Sequence, residues 1–474
     1  MRSTGRNSTI TDGPLMGYNV VIINIDTLRA DHLGCYGYRR NTSPFIDSLA
    51  ARGVLFEEAR SNSSYTRESV AVLMSGRLPS RSGSIGWDAA PSIATENLAE
   101  LFAHAGYRTG FFSATTVLTG PLFTKGFDTV QQLTDRWGVS GLGTRLSARA
   151  VDFADATTGH RFLMYLHYLD PHGPYDPPQD LYLAFAGVPF PTPLNLYKDV
   201  RPNLAALLAE GFGPGDPRFE DMVTRYDAEI ADTDRAVAQL FAGLQRLGVL
   251  DHTLVIVTAD HGEEFLEHGF VEHAWTLYDE VLRVPLLFWA PSALPQAHLQ
   301  RRAMVVDILP TVLHLTGTPN VRRDFDGEVL FDASADQVRP TAPAKAYIGE
   351  LLIAERNVAR AVIDGDWKYV AALKWLPPEI RPAAARVEDE LRRAGDSTTV
   401  DLKGPIVREE LYDLADDPRE LRDACASNPQ VCRAMSSQMQ RYVASSTSGL
   451  EAQPHPHDLS PEDRQRLRAL GYVQ

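Results

Sequence analysis

The strongest constraint on the fold is a pattern that recurs far apart in the chain: an apolar, β-branched run that ends on an aspartate. NVVIINID spans 19–26 and TLVIVTAD spans 253–260. Runs that are apolar at every position mark strands buried on both faces of a parallel sheet. RFLMYLHYL at 161–169 and VPLLFWAP at 284–291 read the same way, the first continuing into the loop DPHGPYDPP. Helical patterns lie between them. Ser43-Pro44 opens one that Gly53 closes, RESVAVLMSG follows Thr66, and 97–106 ends on Gly106. The stretch 219–248 is long and amphipathic, and 305–317 ends on Gly317. Alternation of strand and helix from 19 to about 317 predicts the α/β class, a layered α/β/α sandwich around a large, mostly parallel sheet. Such sheets bind ligands beyond the carboxyl ends of their strands, which is where Asp26 and Asp260 fall.

After about 335 the pattern changes to KAYIGELLI, ARAVIDGDWKYVAAL and EELYDLADDP, which suggests a small antiparallel sheet, followed from 419 by a polar helical tail. The expected organisation is a disordered lead-in over 1–17, a main domain over 18–335, and a C-terminal subdomain with its tail over 336–474. A hydrophobic content of 44% supports one large core, and a net charge of −15 argues against nucleic acid as a partner. No run of ~18 apolar residues is present, so no membrane span is expected. The first residues lack an apolar signal core. As written, the chain is expected to stay in the cytoplasm, or to be periplasmic or secreted if a signal precedes this start. Three cysteines make no disulfide framework. Pairing of Cys425 with Cys432 requires an oxidising compartment and stays open.

Four stretches carry chemistry. TADHGEEFLEHGFVEH at 258–273 holds Asp260, His261, His268 and His273, donors that suit Zn, Mn or Fe better than Ca alone. Its ordinary alternative is a solvated loop. Asp26 can cap the turn after its strand, but a second strand-end acid makes a shared cation the better account. Thr66 enters a helix, where a hydroxyl ordinarily caps. The same helix N-terminus also stabilises an alkoxide or an anion. Asp170 and His172 flank a proline in 167–178, as a second metal site or as a plain turn.

These stretches resemble the sulfatase family of the alkaline phosphatase superfamily. The likeness runs through IDTLRADHLGCYGYRRNTSPFIDSLAARGVLFEEARS, LMSGRLPSRSG, FLMYLHYLDPHGPY, YDAEIADTD, TADHGEEFLEHG, LYDEVLRVPLLFWAP, VVDILPTVLHLTG and ELYDLADDPRELRD, and ends on LRALGYV. It implies an alkaline-phosphatase-like fold with a sulfatase-like catalytic domain over 18–335. It implies Asp26, Asp260, His261 and Thr66 around one divalent ion (Zn, Mn or Ca), with Thr66 as nucleophile. His172 and His273 fall where the family places basic residues around the scissile group. Asp170, His172 and His268 are candidates for a second ion.

The departures are chemical. Where arylsulfatases read CxPSR or SxPSR, this chain reads Thr66-Arg67-Glu68-Ser69-Val70. Threonine is not converted to formylglycine, so no formylglycine is expected, and Arg67 is the candidate to replace the motif's arginine. The paired acids have become Asp26-Thr27, and GKWHLG is absent from GYRTGFFSATTV at 106–117. An Asp, Thr, Asp, His set looks more like the superfamily's phosphodiesterases and phosphonate monoester hydrolases. A formylglycine hydrate expels sulfate by breaking a carbon–oxygen bond. A threonine ester must instead be cleared by water at phosphorus or sulfur. The expected function is therefore metal-dependent hydrolysis of a small anionic sulfate, phosphate or phosphonate ester, with a sulfated glycan or a phospholipid head group as candidate substrates. Alternatives are a non-catalytic binding protein on the same fold and a phosphoethanolamine or phosphoglycerol transferase.

Overall fold

The structure, a computed structural model, describes residues 13–86, 96–118, 120–133, 141–189, 196–319, 324–334, 336–341, 345–353, 358–375 and 404–446. In chain order the strands are β1 (Asn19–Ile25), β2 (Val54–Arg60), β3 (Arg108–Ser113), β4 (Thr129–Gln132), β5 (Phe162–Tyr168), β6 (Thr253–Ala259), the two-residue β7 (Glu264–Phe265) and β8 (Val271–Glu272), β9 (Leu286–Trp289) and β10 (Ala297–Met304). A hairpin of β11 (Phe331–Ser334) and β12 (Gln337–Pro340) follows, then β13 (Tyr347–Leu352), β14 (Val358–Asp364), β15 (Trp367–Lys374) and β16 (Arg408–Asp413).

Eight strands form the main sheet in the order β10-β2-β9-β6-β1-β5-β3-β4. Every pairing is parallel except those of β9, which runs antiparallel to β2 and β6. Strand β1 lies in the middle, and Val20, Val21, Ile22 and Ile23 are fully buried, as an all-apolar strand between two helical layers requires. The sequence reading missed β4 and β10. Both are edge strands with exposed or half-buried polar positions, so they lack the continuous apolar run that marks the centre.

Register positions the ligand edge. Ile25 pairs with Ala259 on one side and Tyr168 on the other. The residues that follow β1 and β6, Asp26 and Asp260, therefore leave the sheet side by side. Helix α1 (Pro44–Ala50) begins with proline, and helix α2 (Thr66–Ser75) is buried along its whole length. The long helix Pro217–Arg246 sends Tyr226 to the loop after β1, where its hydroxyl donates to the Thr27 carbonyl at 2.7 Å and accepts from the Arg29 N–H at 3.0 Å.

Of the expected lead-in, residues 1–12 lie outside the described residues. Leu15 does not match that expectation: it is fully buried, and its N–H bonds the Leu315 carbonyl at 2.8 Å. The tail beyond 446, including LRALGYV, also lies outside the described residues. Strands β13 to β16 form the small antiparallel sheet. Helix Pro429–Ser446 packs Cys432, Met435 and Met439 against Val362, Tyr369 and Leu411 of that sheet. Cys425 and Cys432 are joined in a disulfide, which answers the question the sequence left open. The turn into this helix brings their Cα atoms to 5.3 Å, within bridging reach.

A buried ionic network ties the small sheet to the main one. Lys368 on β15 is fully buried, its Nζ 3.0 Å from Asp279 Oδ1 and 2.6 Å from Glu420 Oε1. Arg60 at the end of β2 grips the same Asp279 carboxylate with two N–H groups, at 3.0 and 2.7 Å. Burial alone would raise the Asp279 pKa, but Arg60 and Lys368 outweigh it and hold the carboxyl well below its usual range. Removing one partner of a buried pair leaves an uncompensated charge. Lys368→Met should therefore cost about 3 kcal/mol in urea unfolding. Lys345→Met, at an exposed pair with Glu328, should be near neutral. Equal midpoints for the two variants would show that the network does not hold the sheets together.

Candidate functional site

The site is built where β1, β5, β6 and α2 meet. Asp26, Thr27, Thr66, Asp260 and His261 are all buried. Each is held by its neighbours rather than by solvent. The Asp260 Oδ1 atom accepts from the N–H groups of His261 at 3.0 Å and Thr27 at 3.3 Å. Ser69 on α2 donates its hydroxyl to the Asp260 carbonyl at 2.7 Å and shares a hydrogen bond with Ser61 at 2.8 Å. Helix α2 is thus docked on the end of β6. Gly262 is required for space: a Cβ there would lie 2.1 Å from the Glu280 carbonyl oxygen.

Two carboxylate oxygens, Asp26 Oδ1 and Asp260 Oδ2, are buried without a hydrogen-bond partner, as is Thr27 Oγ1. His261 Nε2 lies 3.8 Å from the first and 3.6 Å from the second, and 3.0 Å from Thr66 Oγ1. Its other nitrogen, Nδ1, is 2.9 Å from the Gly262 carbonyl. A carbonyl only accepts, so Nδ1 carries the proton and Nε2 presents a lone pair. Three lone-pair atoms thus converge, with the Thr66 hydroxyl 3.0 Å from His261 Nε2. Burial and then the Asp260 charge push the Asp26 carboxyl well up, the cost of this arrangement without a positive charge. Two carboxylates, an imidazole and hydroxyls fit a divalent cation of the borderline type. Thr27 has φ of 56°, a left-handed conformation unusual for a β-branched residue. Such strain clusters at functional sites.

Sequence reasoning missed His167 on β5. Its Nε2 lies 3.2 Å from Asp26 Oδ2, while Nδ1 faces both the Tyr165 hydroxyl and the Asn24 amide at 3.1 Å. Burial lowers its pKa to about 4, so the ring is neutral, and the two donors at Nδ1 leave its proton on Nε2, aimed at Asp26. Asp26, Asp260 and His167 place ligand-capable atoms within 4.8 Å of one another, but the proton on Nε2 makes His167 the support of Asp26 rather than a ligand. A lone histidine inside FLMYLHY was the available signal.

Three imidazoles gather beside this group. The His273 ring centroid is 4.4 Å from that of His261 and 5.0 Å from that of His172. His172 Nδ1 is 2.7 Å from the Gly173 carbonyl, and burial with the neighbouring His273 pushes its pKa well down. His273 Nδ1 is 2.9 Å from Glu263 Oε1, and Tyr175 donates to Glu263 Oε2 at 3.0 Å. Burial and Glu272 push the Glu263 carboxyl up to about 8.

The other sequence candidates lie elsewhere. His268 is not brought to the site. Its Nδ1 meets Glu280 at 2.5 Å, its Nε2 meets the Glu420 carbonyl at 3.0 Å, and it stacks on Tyr278. Burial works against its charge, yet Glu280 raises its pKa to about 9. A cation between two acceptors is a poor metal ligand. Asp170 faces the long helix, where burial and Asp232 raise it to about 7 and it adds to the raised pKa of Glu229. The expected second site of Asp170, His172 and His268 is therefore not assembled. The Arg67 side chain donates to the Val117 carbonyl and stands 5.1 Å from the Phe123 ring centroid.

The model of the sulfatase family matches residues 18–318. Arylsulfatase A of Homo sapiens is 28% identical over 377 residues, covering 67% of this chain and 67% of that protein. Arylsulfatase K of Bos taurus is 26% identical over 226 residues, 46% of this chain but only 36% of that relative, so the match spans about a third of its length. Among solved structures, the phosphonate monoester hydrolase of Agrobacterium radiobacter superposes with a TM-score of 0.67 at 17% identity, covering 90% of this chain and 96% of its own. BT4656, solved with its substrate D-glucosamine-2-N,6-O-disulfate, gives 0.71 at 18% identity, covering 92% of this chain and 100% of its own.

If the converging lone pairs need a cation, Mn²⁺ or Zn²⁺ added to chelator-treated protein should raise its melting temperature. Asp260→Asn should abolish most of that rise and lower bound metal measured by mass spectrometry of the digested protein. Unchanged metal content in the variant would remove Asp260 from the donor set.

Proposed function

The chain belongs to the sulfatase family, and we propose that it is a metal-dependent hydrolase of a sulfate, phosphate or phosphonate monoester or diester that uses unmodified Thr66 as its nucleophile. One observation carries this reading. The Thr66 side chain does not cap its helix; its Oγ1 instead stands 3.0 Å from His261 Nε2, the nitrogen that lies 3.8 and 3.6 Å from the two orphaned carboxylate oxygens. Asp26, Thr27, Asp260 and His261, with Thr66, would hold one divalent cation. That ion would favour the alkoxide form of Thr66 and offset the charge of the anionic ester.

The chain's own residues account for the remaining needs. The first N–H groups of α2 face the incoming anion at the positive end of the helix. Ser69 and Ser61 fix the helix against Asp260, and His167 fixes Asp26. Arg67, engaged with Val117 and Phe123, braces the loop after β3 beside Thr66 rather than taking the motif arginine's place on the anion. Val70, at that arginine's position, is fully buried among apolar neighbours. His172 and His273 stand ready to protonate the leaving oxygen and to take a proton from the water that clears the Thr66 ester.

The substrate class is open between sulfur and phosphorus. A threonine adduct has no internal route to expel its acid, so water must attack at the central atom. Phosphorus esters meet that demand more readily than sulfate esters, which agrees with the threonine and with the phosphonate monoester hydrolase among the neighbours of this fold. BT4656, whose substrate is D-glucosamine-2-N,6-O-disulfate, supports a sulfated sugar as the competing substrate.

Initial rates on an aryl sulfate, an aryl phosphate, a phosphodiester and a phosphonate monoester should show turnover of at least one. On that substrate Thr66→Ser should stay within about a hundredfold of wild type, and Thr66→Ala should lose about a thousandfold or more. Acid quench during turnover should leave the sulfuryl, phosphoryl or phosphonyl group on the peptide containing Thr66. Turnover with no adduct, and an active alanine variant, would make Thr66 a bystander.

A further inference from the structure

We infer that Glu409, Cys425 and Cys432 form a metal site of their own, apart from the pocket, which takes Zn²⁺ when the two cysteines are reduced. The same staple then closes as a disulfide under oxidising conditions and as a zinc thiolate centre under reducing ones. The inference is independent of the chemistry proposed for Thr66. Each of the three residues offers one ligand-capable atom, and the three atoms lie within 4.8 Å of one another.

Strand, turn and helix bring these groups together without help from the sulfur–sulfur bond. On β16, Glu409 and Leu411 are two residues apart and point to the same face. Helix Pro429–Ser446 covers that face with Cys432, Met435 and Met439. The turn before the helix is pinned to the strand. Asp423 Oδ1 accepts from the N–H groups of Leu411 at 3.0 Å and Cys425 at 2.9 Å, and the Ala424 N–H donates to the Leu411 carbonyl at 2.7 Å. The Asn428 N–H then donates to the Ala424 carbonyl at 2.8 Å and the Cys432 N–H to the Asn428 carbonyl at 3.0 Å, which carries Cys432 round to Cys425. Hydrogen bonds thus hold both backbone positions, and two thiols released by reduction stay facing each other.

The carboxylate gives the cluster its meaning. A disulfide is uncharged and gains nothing from an acid beside it, and an acid beside two thiols opposes their ionisation. A divalent cation reverses that sign. It deprotonates coordinating thiols outright, and the acid becomes a third anionic donor. Glu409 is also oriented: the Tyr369 hydroxyl donates to its Oε2 at 2.9 Å, the kind of support that stands behind metal ligands. A carboxylate so engaged keeps further lone pairs for an ion. Two thiolates and a carboxylate select Zn²⁺ over Ca²⁺ or Mg²⁺. Glu409 is exposed, which leaves the fourth tetrahedral position to water.

A dithiol reductant gives two electrons and two protons to the bond between Cys425 and Cys432 and becomes a disulfide itself, leaving two thiols. Zn²⁺ then binds both sulfurs and the Glu409 carboxylate, and the two S–H protons leave to solvent. Where reductants keep cysteines reduced, disulfides are rare, and there the ion takes over the task of the bond. That task bears on the rest of the molecule. The loop between Glu409 and Cys425 carries Glu420, whose carboxylate meets Lys368 Nζ and the Asp279 N–H, both at 2.6 Å. In either form the staple fastens the end of that loop.

The test uses the full chain, stripped of metal and titrated with Co²⁺ in the absence of oxygen, with the disulfide either intact or reduced by a phosphine. Thiolate ligands to Co²⁺ give a charge-transfer band in the near ultraviolet, which the oxygen and nitrogen donors of the pocket do not. The reduced protein should show the band, the oxidised protein should not, and Zn²⁺ should displace it. Cys425→Ser and Cys432→Ser should each lose most of it, and Cys35→Ser should keep it. Glu409→Gln should weaken Co²⁺ binding about tenfold or more, since even residues behind a ligand carry that much affinity. A reduced wild type without the band, a band undiminished in either of the first two variants, or a Glu409→Gln variant of unchanged affinity would overturn the site. So would reduced protein that circular dichroism shows to be unfolded in the presence of Zn²⁺, because the fold would then depend on the sulfur–sulfur bond alone.

Discussion

Everything at the ligand edge depends on one unfavourable juxtaposition. Asp26 and Asp260 leave adjacent parallel strands at the same level, and the sheet register gives their carboxylates no room to part. Each is buried, and each keeps one oxygen unpartnered. An unpaired buried charge costs several kcal/mol unless it is neutralised or compensated. The surrounding structure spends its hydrogen bonds on the other oxygens, through His167 on Asp26 and the N–H groups of Thr27 and His261 on Asp260. What is left is a concentrated negative pocket that only a proton or a cation can settle. The mixed sheet supplies the stiffness that such a pocket needs, since β1 is hydrogen-bonded along its full length on both sides.

Much of this was legible in the sequence because the signals are local. A buried parallel strand declares itself by an uninterrupted apolar run, and an acid at its end is read with it. Asp26, Asp260 and Thr66 sit within one residue of an element boundary, and His261 within two. His167 was harder, because it lies inside the run that marks its strand. Its meaning comes from Asn24 and Asp26 on and just after the neighbouring strand β1, which no local pattern shows. The segment 258–273 shows the opposite limit. Its spacing offers three histidines, but Leu266, Glu272 and Ala274 adopt left-handed backbone and fold the β7–β8 turn back on itself. That turn sends His273 inward and His268 outward to Glu280 and Glu420. No periodicity encodes such a reversal. The edge strands β4 and β10 and the reversed direction of β9 were illegible for a related reason: they are set by what packs beside them.

The motif around Thr66 illustrates how a family pattern is reused when its central residue changes. Ser69 keeps a hydrogen-bonding task, now visible as the tie between α2 and the end of β6. Glu68 is fully buried and accepts from the Ser63 hydroxyl and the Leu352 N–H, at 2.6 and 3.2 Å, so it anchors the loop that enters the helix. Val70 has joined the apolar core. The positions around Thr66 have therefore become scaffold.

The contact between Gly262 and the Glu280 carbonyl reaches further than local packing. Glu280 follows Asp279, whose carboxylate Lys368 of the small sheet grips and whose N–H donates to Glu420. The peptide pressed against the turn after β6 is thus gripped from behind by the C-terminal part of the chain. A gene shortened near residue 335 would lose both Lys368 and Glu420, leave Arg60 and Asp279 facing solvent, and remove the backing of the turn that carries Asp260 and His261. The small sheet is a buttress for the pocket.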